Sequence, residues 1–365
     1  MKKIFLISPI IDNLILFRKE LILVLVERGY DITLLCSFQQ ESLELSKLGV
    51  HFVNVDIDRR GTNILSELKL LKTYYHILKI DKPDVVLTYT SKCSVYAGMV
   101  CRLLKIPYIV NNSGLFDPRR IGKLFGVFLN FLHRLGYSGT ACMMYQNPSE
   151  MEFFKKIFWK KVPYRLLPGS GVNLEKFRVQ PFPTGKQVNF LMICRIQKEK
   201  GIEEYMQAAS MLKQKYPFVN FMVLGGFDED YHTQINQLVN EGVLLYYEPV
   251  KDVRPYINNA HCIVNPSYHE GMSNVLLEAS ASGRPTIASD CPGCNNITNH
   301  EVNGFLAKIG DAEDLAAQME KFILLPSEER MKMGLAGRKI VEDLFDRQIV
   351  INAYIEEINK ICPKI

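Results

Sequence analysis

No stretch of the 365 residues strings together the roughly 18 apolar side chains that a membrane-spanning helix needs. The turn expected after the first strand, Ser8 to Asn13, holds no glycine. The fingerprint that lets a backbone approach a dinucleotide is therefore missing, and an NAD-dependent enzyme is the least supported class. Neither sign of charge dominates. The net charge of +5 favours anionic partners without demanding nucleic acid. The nine cysteines are odd in number and scattered, the usage of a reducing cytoplasm. Their one close pair, Cys291 and Cys294, has no second pair to complete a zinc site and reads as a loop. The basic start Met1-Lys2-Lys3 is followed by a short apolar run, Ile4 to Ile11. No small-residue cleavage site follows and Asp12 interrupts, so a first β-strand is expected rather than a signal peptide.

What is there is a soluble α/β protein. Apolar residues make up 47% and charged ones 23%, and the length suits two domains. Short apolar runs alternate with amphipathic stretches, the pattern of parallel sheets. In the first half, strands are expected at Lys3–Ser8, Asp31–Cys36, His51–Val55, Val85–Thr88, Tyr108–Asn112 and Ala141–Tyr145. Helices are expected at Asn13–Arg28, Ile64–Ile80, Ser94–Leu104, Ile121–Tyr137 and Ser149–Phe158. A proline-rich stretch, Val179 to Gly185, reads as a linker and sets a boundary near residue 180. Beyond it strands are expected at Val188–Cys194, Asn220–Leu224, Leu244–Tyr247, Cys262–Val264, Thr286–Ala288 and Phe305–Ala307. Seven helices should separate and follow them, the last at Arg347–Ile361. The mutual cleft of the two halves is where a ligand is expected.

One stretch concentrates the chemistry, Asn265 to Ser282. A strand enters it and a helix leaves it, with Ser273 or Asn274 able to cap the helix and Gly283 able to stop it. Glu270 lies in the loop. Glu278 lies in the early turns of the helix, where side chains lean back towards the mouth. Backbone N–H groups from Gly271 to Val275 attract an anion to the same mouth. Donors for phosphate beside acceptors for hydroxyls suit a nucleotide sugar. An ordinary capped strand–turn–helix with two surface glutamates accounts for the spacing equally well. Arg195 ends the first strand of the second half, and Lys200 stands just before Gly201 opens a helix. Both are placed for a diphosphate, or for an ion pair and a solvated run. Asp228-Glu229-Asp230 resembles a metal-binding acidic motif but reads as a solvated loop, so no metal is expected.

Together these residues resemble family 4 of the retaining glycosyltransferases. Glu270 and Glu278 with seven residues between them, after Ser267 and before Ala279, are the most specific part. Arg195 and Lys200, Pro168 to Asn173, Pro292-Gly293 and Asn303 to Leu306 extend the likeness over almost the whole chain. Within the family the chain is similar to enzymes that add galactose or N-acetylgalactosamine to undecaprenyl-diphosphate-linked sugars, with Phe17-Arg18 and Gln146-Asn147-Pro148 in support. The resemblance implies the GT-B fold, an α/β architecture of two Rossmann-like domains facing across a cleft. Residues 1–179 would form the acceptor-side domain and 180–345 the nucleotide-sugar domain. A C-terminal helix in 346–365 would cross back to the first.

It implies Arg195, Lys200 and Glu270 as catalytic residues, the two cations on the donor diphosphate and Glu270 at the donor sugar. Glu278 would hold the ribose, with Ser267, Gly271, Met272, Ser273 and Asn274 completing the donor site. Arg18, Asn112 and Ser113 are the acceptor-side candidates. No cofactor or metal is implied. The chain departs from the family at two places. Asn295-Asn296 stand where members often carry a charged pair, and Asn111-Asn112-Ser113 where many carry a histidine.

The expected activity is retaining transfer of a hexose or N-acetylhexosamine from a UDP-sugar to a lipid-linked saccharide in surface polysaccharide synthesis. A non-catalytic nucleotide-sugar-binding protein and a UDP-sugar epimerase of the same fold are the alternatives. The anionic membrane surface is an expected partner. Arg119, Arg120 and Lys123 precede the apolar run Leu124 to Leu132, and Phe153 to Lys161 mixes bases with aromatics. A buried helix with solvated lysines is the other reading of that cluster. The expected place is the cytoplasm, peripheral on the inner face of the membrane.

Overall fold

The computed structural model describes residues 1–57, 63–111, 123–158 and 161–363, the side chains of residues 123–125 excepted. The chain divides into two compact units, Met1–Ser170 with Val350–Ile365, and Gly171–Ile349.

In the first unit the order is β1 (Lys3–Ile10), α1 (Ile11–Glu27), β2 (Asp31–Ser37), α2 (Leu43–Lys47), β3 (His51–Asn54), α3 (Ile64–Asp81), β4 (Val85–Tyr89), α4 (Ser91–Leu104), β5 (Tyr108–Asn111), α5 (Lys123–Tyr137), β6 (Cys142–Tyr145), α6 (Pro148–Ile157) and β7 (Tyr164–Leu166). The strands form one parallel sheet ordered β3-β2-β1-β4-β5-β6-β7. Successive residues of β1 face opposite sides. Ile4 and Leu6 enter a core with Leu14, Leu21 and Leu25 of α1, while Phe5 and Ile7 enter one with Leu70, Tyr74 and Leu78 of α3. A strand buried on both faces reads as an unbroken apolar run, and β1 does.

The second unit runs β8 (Val188–Ile193), α7 (Ile202–Lys215), β9 (Val219–Leu224), α8 (His232–Asn240), β10 (Leu244–Tyr247), α9 (Arg254–Asn259), β11 (Cys262–Asn265), α10 (Asn274–Ala281), β12 (Thr286–Ser289), β13 (Gly304–Ala307), α11 (Ala312–Leu324) and α12 (Ser327–Leu344). Its sheet, also parallel, is ordered β10-β9-β8-β11-β12-β13. Both sheets are doubly wound. The strand order reverses beside β1 in one and beside β8 in the other, the position where such sheets bind ligands beyond their strand ends.

The last helix, α13 (Arg347–Ile361), buries Val350, Ile351, Tyr354 and Ile358 in the core that holds Ile4 and Leu6. Arg165 fixes it further through Glu356 and Glu357, both at 2.6 Å. The elements match the sequence pattern with small shifts of their ends, and two short pieces go unread there, α2 and β7.

The division of the chain differs from the boundary expected at 179/180. It falls at Ser170–Gly171, because residues 171–182 are tied to the second unit. Val172 bridges to Asp346, with its N–H on the Phe345 carbonyl at 2.8 Å. Phe177 is buried in the core of Leu191 and Leu276. Arg284, 1% exposed, donates to the carbonyls of Gln180 (3.1 Å), Pro181 (2.8 Å), Ile257 (3.2 Å), Asn258 (2.9 Å) and Ser282 (3.3 Å). The stretch that looks like a linker by composition is thus strapped down at Gln180 and Pro181.

Candidate active site

Asn265, the last residue of β11, organises the loop that follows. Its Nδ2 donates to Ser273 Oγ at 2.8 Å and its Oδ1 accepts from Ser267 Oγ at 2.9 Å, so one buried amide holds both ends of the turn. Ser273 caps α10 by accepting from the Leu276 N–H at 3.4 Å. Its own N–H is taken by the Gly293 carbonyl at 2.9 Å. The row of backbone donors expected from Gly271 to Val275 is therefore interrupted at Ser273. Gly293 has φ +84°, and a Cβ there would lie 2.5 Å from the Glu270 carbonyl oxygen. Only glycine lets this second loop press so closely on the first.

A third segment stacks on the same loop. Gly201, at φ +74°, places its Cα where a Cβ would meet the Pro266 carbonyl at 2.2 Å. Tyr268 donates its N–H to the Glu199 carbonyl at 3.0 Å. This contact brings Lys200 to Glu270, whose Oε1 accepts from Nζ at 2.6 Å; Ser267 Oγ lies 2.9 Å from the same oxygen and from Asn265 Oδ1, and its single proton serves one of the two at a time. Lys200, Glu270, Ser267, Asn265 and Ser273 form one contiguous polar cluster, with the Ser267 hydroxyl able to turn between Glu270 and Asn265. The two free thiols of Cys291 and Cys294 lie buried beneath it, Cys291 Sγ against the Ser267 carbonyl at 3.5 Å and Cys294 Sγ against Asn265 Nδ2 at 3.6 Å.

Arg195 follows β8, the strand hydrogen-bonded to β11, so the cation and the loop flank the reversal of the sheet. Its side chain is 60% exposed and pairs with Asp228 at 2.8 Å. Such a solvated pair is worth about 0–1 kcal/mol and yields readily to a stronger anion. Glu229 accepts from the Lys198 N–H at 2.9 Å. Among the described residues no group of three His, Cys, Asp or Glu side chains could hold a metal ion.

Glu278 is half-buried on α10 and, among the described residues, its carboxyl has no hydrogen-bond partner. Burial pushes its pKa up to about 7, against the pull of Lys176 and Arg347 and with a small push from Asp252. Lys176 and Asp252 also line a cavity of 460 Å³. Met272 is buried, while Gly271 and Asn274 are half-buried in the loop and first turn. The arrangement offers a cation and a carboxylate in contact, a second exposed cation, the N-terminus of a helix, and an unpaired acid poised near neutrality. It can hold an anionic leaving group beside hydroxyls.

Of the acceptor-side candidates, Asn112 and Ser113 lie outside the described residues. Arg18 is 4% exposed in α1, its guanidinium 5.0 Å from the Tyr89 ring centre. Of the residues that surround it, Tyr89 and Asn111 stand at strand ends that the sequence places at a cleft, and sequence reasoning missed Tyr354. Nothing local marks Tyr354 in the last helix. Of the basic-apolar cluster, Arg119, Arg120, Trp159 and Lys160 also lie outside the described residues. α5 turns Val127, Phe128 and Phe131 outward and buries His133, while Lys155, Lys156 and Lys161 are exposed. Among the described residues no helix is long and apolar enough to cross a membrane.

Residues 173–340 match the family described as glycosyl transferases group 1, and residues 9–147 match glycosyl transferase 4-like. The chain is 26% identical over 370 residues to the N,N'-diacetylbacillosaminyl-diphospho-undecaprenol alpha-1,3-N-acetylgalactosaminyltransferase of Campylobacter jejuni, covering 96% of each. It is 24% identical to the UDP-Gal:alpha-D-GlcNAc-diphosphoundecaprenol alpha-1,3-galactosyltransferase of Escherichia coli, covering 80% of this chain and 79% of that one. The crystal structure of Anabaena HepE in complex with UDP and glucose superposes with a TM-score of 0.78 at 17% identity, over 99% of this chain and 100% of that one.

Proposed function

This chain belongs to the glycosyltransferases, a group 1 domain following a glycosyl transferase 4-like domain in sequence, and from that premise we propose that it moves a hexose or N-acetylhexosamine from a UDP-sugar to a lipid-linked saccharide with retention. The observation that carries the reading is the Lys200–Glu270 pair at 2.6 Å, held in the same loop-and-helix unit as the unpaired Glu278. Breaking the donor's glycosidic bond leaves positive charge on the ring and negative charge on the diphosphate. One pair supplies both complements, the ammonium for the diphosphate and the carboxylate for the ring. Arg195 adds a second cation once the diphosphate displaces Asp228. These charges are fixed before the reaction and act more strongly on the transition state than on the ground state.

Glu278 accepts from the ribose hydroxyls, and Ser267, Gly271, Met272, Ser273 and Asn274 surround the sugar and phosphates. In a front-face reaction the acceptor oxygen bonds to the anomeric carbon on the side the diphosphate leaves. The departing phosphate oxygen takes the acceptor's proton, so no side-chain base is required. Arg195 and Lys200 neutralise the diphosphate without a metal ion. The donor is a UDP-sugar and the acceptor a saccharide on undecaprenyl diphosphate, by likeness to the relatives from C. jejuni and E. coli. Arg18 faces the acceptor side, with Asn112 and Ser113 in the same role. The exposed apolar residues of α5 and the lysines of α6 rest on the anionic inner face of the cytoplasmic membrane, where such an acceptor lies.

Lys200→Ala and Glu270→Ala should each lower transfer, read as UDP release in the presence of a lipid-linked acceptor, by about 10²–10³-fold. Wild-type rates in both variants, with wild-type folding, would remove the site assignment.

A further inference from the structure

At the reversal of the first sheet, between β1 and β4, the gathered polar groups leave a buried charge unanswered among the described residues. Arg18 Nη1 donates to the carbonyl of its own neighbour Phe17 at 2.8 Å. Its Nη2 reaches Asn111 Oδ1 only at 3.5 Å, and Gln146 Nε2 competes for that oxygen at 3.4 Å. Among the described residues Arg18 Nε, Asn111 Nδ2 and the hydroxyls of Tyr89 and Tyr354 are buried without a hydrogen bond of ordinary length, and reach one another only in longer contacts, Tyr89 with Tyr354 and Arg18, and Tyr354 with Asn111. Among the described residues Arg18 has no carboxylate in ion-pair reach. The rings of Tyr89 and Tyr354 lie 5.0 and 5.9 Å from its guanidinium. Burial raises both phenol pKa values, so neither ring supplies a counter-charge.

A buried charge without a partner costs several kcal/mol, and two ring faces recover only part of that. Water could meet the hydrogen bonds but not the charge. Every unmet group is a hydrogen-bond donor or a hydroxyl, so the missing partner is anionic and rich in acceptor atoms. The place is where a doubly wound sheet binds its ligand.

The geometry points to an anion site in which Arg18, with Asn111, Tyr89 and Tyr354, receives the diphosphate of the lipid-linked acceptor. This deepens the transferase reading and rests on it. The cluster is closed to solvent as it stands, so an arriving diphosphate has to open it. The recovered pairing of Arg18 is what favours the opened, occupied form.

The test is calorimetric titration of the UDP-saturated protein with farnesyl diphosphate, farnesol and glucuronate. Wild-type protein should bind farnesyl diphosphate at least tenfold more tightly than farnesol. Arg18→Gln should erase that difference while leaving UDP affinity unchanged, and Arg18→Lys should recover part of it. Tyr354→Phe, which removes one hydroxyl of the cluster and keeps the ring, should weaken farnesyl diphosphate severalfold and serves if Arg18→Gln does not fold. Equal binding of farnesyl diphosphate by wild type and Arg18→Gln overturns the proposal, as does no binding at all, which would leave the cluster to buried water. Displacement of farnesyl diphosphate by glucuronate at comparable concentration reassigns the site to a sugar carboxylate. Failure of the wild-type protein to bind UDP would instead strike at the transferase reading.

Discussion

The two sheets share a winding order, yet the charges at their reversals are handled in opposite ways. At β8 and β11 each cation has an acid, Lys200 with Glu270 and Arg195 with Asp228. At β1 and β4 the guanidinium of Arg18 has none among the described residues. The contrast sharpens between two arginines of similar burial. Arg284 reaches five backbone carbonyls, whereas Arg18 has one short bond and one long one. Burial alone does not tell a structural arginine from one waiting for a ligand. The count of satisfied donors does.

Removing Arg284 should have the largest effect on stability. Arg284→Met strands several carbonyls and frees the strap at Gln180 and Pro181, and should cost about 3–5 kcal/mol, read from the urea midpoint at unchanged slope. A loss below about 1 kcal/mol would show that the carbonyl cage holds nothing.

Glu278 comes next, and pH exposes it. Its folded pKa of about 7 lies above the ordinary 4.5. Holding the charge in the fold is therefore costly above pH 7, and the cost vanishes below about pH 4.5. Glu278→Gln should stabilise the protein by about 1–3 kcal/mol at pH 8 and not at pH 4. In the wild type, UDP affinity should fall as pH drops through 7, since protonation removes an acceptor for the ribose. A flat profile between pH 6 and 8 would separate Glu278 from the nucleotide.

Arg18→Met probes the other arginine. It removes a charge that has no carboxylate partner among the described residues, so stability should stay within about 1 kcal/mol of wild type or rise. A loss equal to that of Arg284→Met would erase the distinction between the two. The smallest effect belongs to the surface of the first unit. Lys156→Ala should lower partitioning onto anionic vesicles by about fivefold, or 1 kcal/mol, in a sedimentation assay. Unchanged sedimentation would leave the α5–α6 face without a bilayer.

Much of the fold was legible because both sheets are buried on both faces. Ile4 to Ile7 and Phe190 to Met192 read as unbroken apolar runs whose alternate residues serve different cores. The strand β7 escaped because three residues of alternating partial exposure carry no such run. The boundary was misplaced for a different reason. Val179 to Gly185 has the composition of a linker, but Arg284 lies 104 residues from Gln180 in sequence, and no local pattern announces that bond. At the site, Glu270, Glu278, Arg195 and Lys200 could be picked out by type and spacing. Their partners could not. The bond between Lys200 and Glu270 spans 70 residues and exists because Gly201 lets one loop rest on another.

What the amino-acid order alone determined is the winding of two parallel sheets and the residue types at their strand ends. Side-chain periodicity and turn chemistry act over a few residues, and both can be read along the chain. Which charge is answered and which is left unanswered was decided only by the folded packing. Tyr354 of the last helix and Tyr89 of the fourth strand enclose Arg18 across more than 250 residues of sequence, and the cost of an unpaired buried charge depends on every group around it.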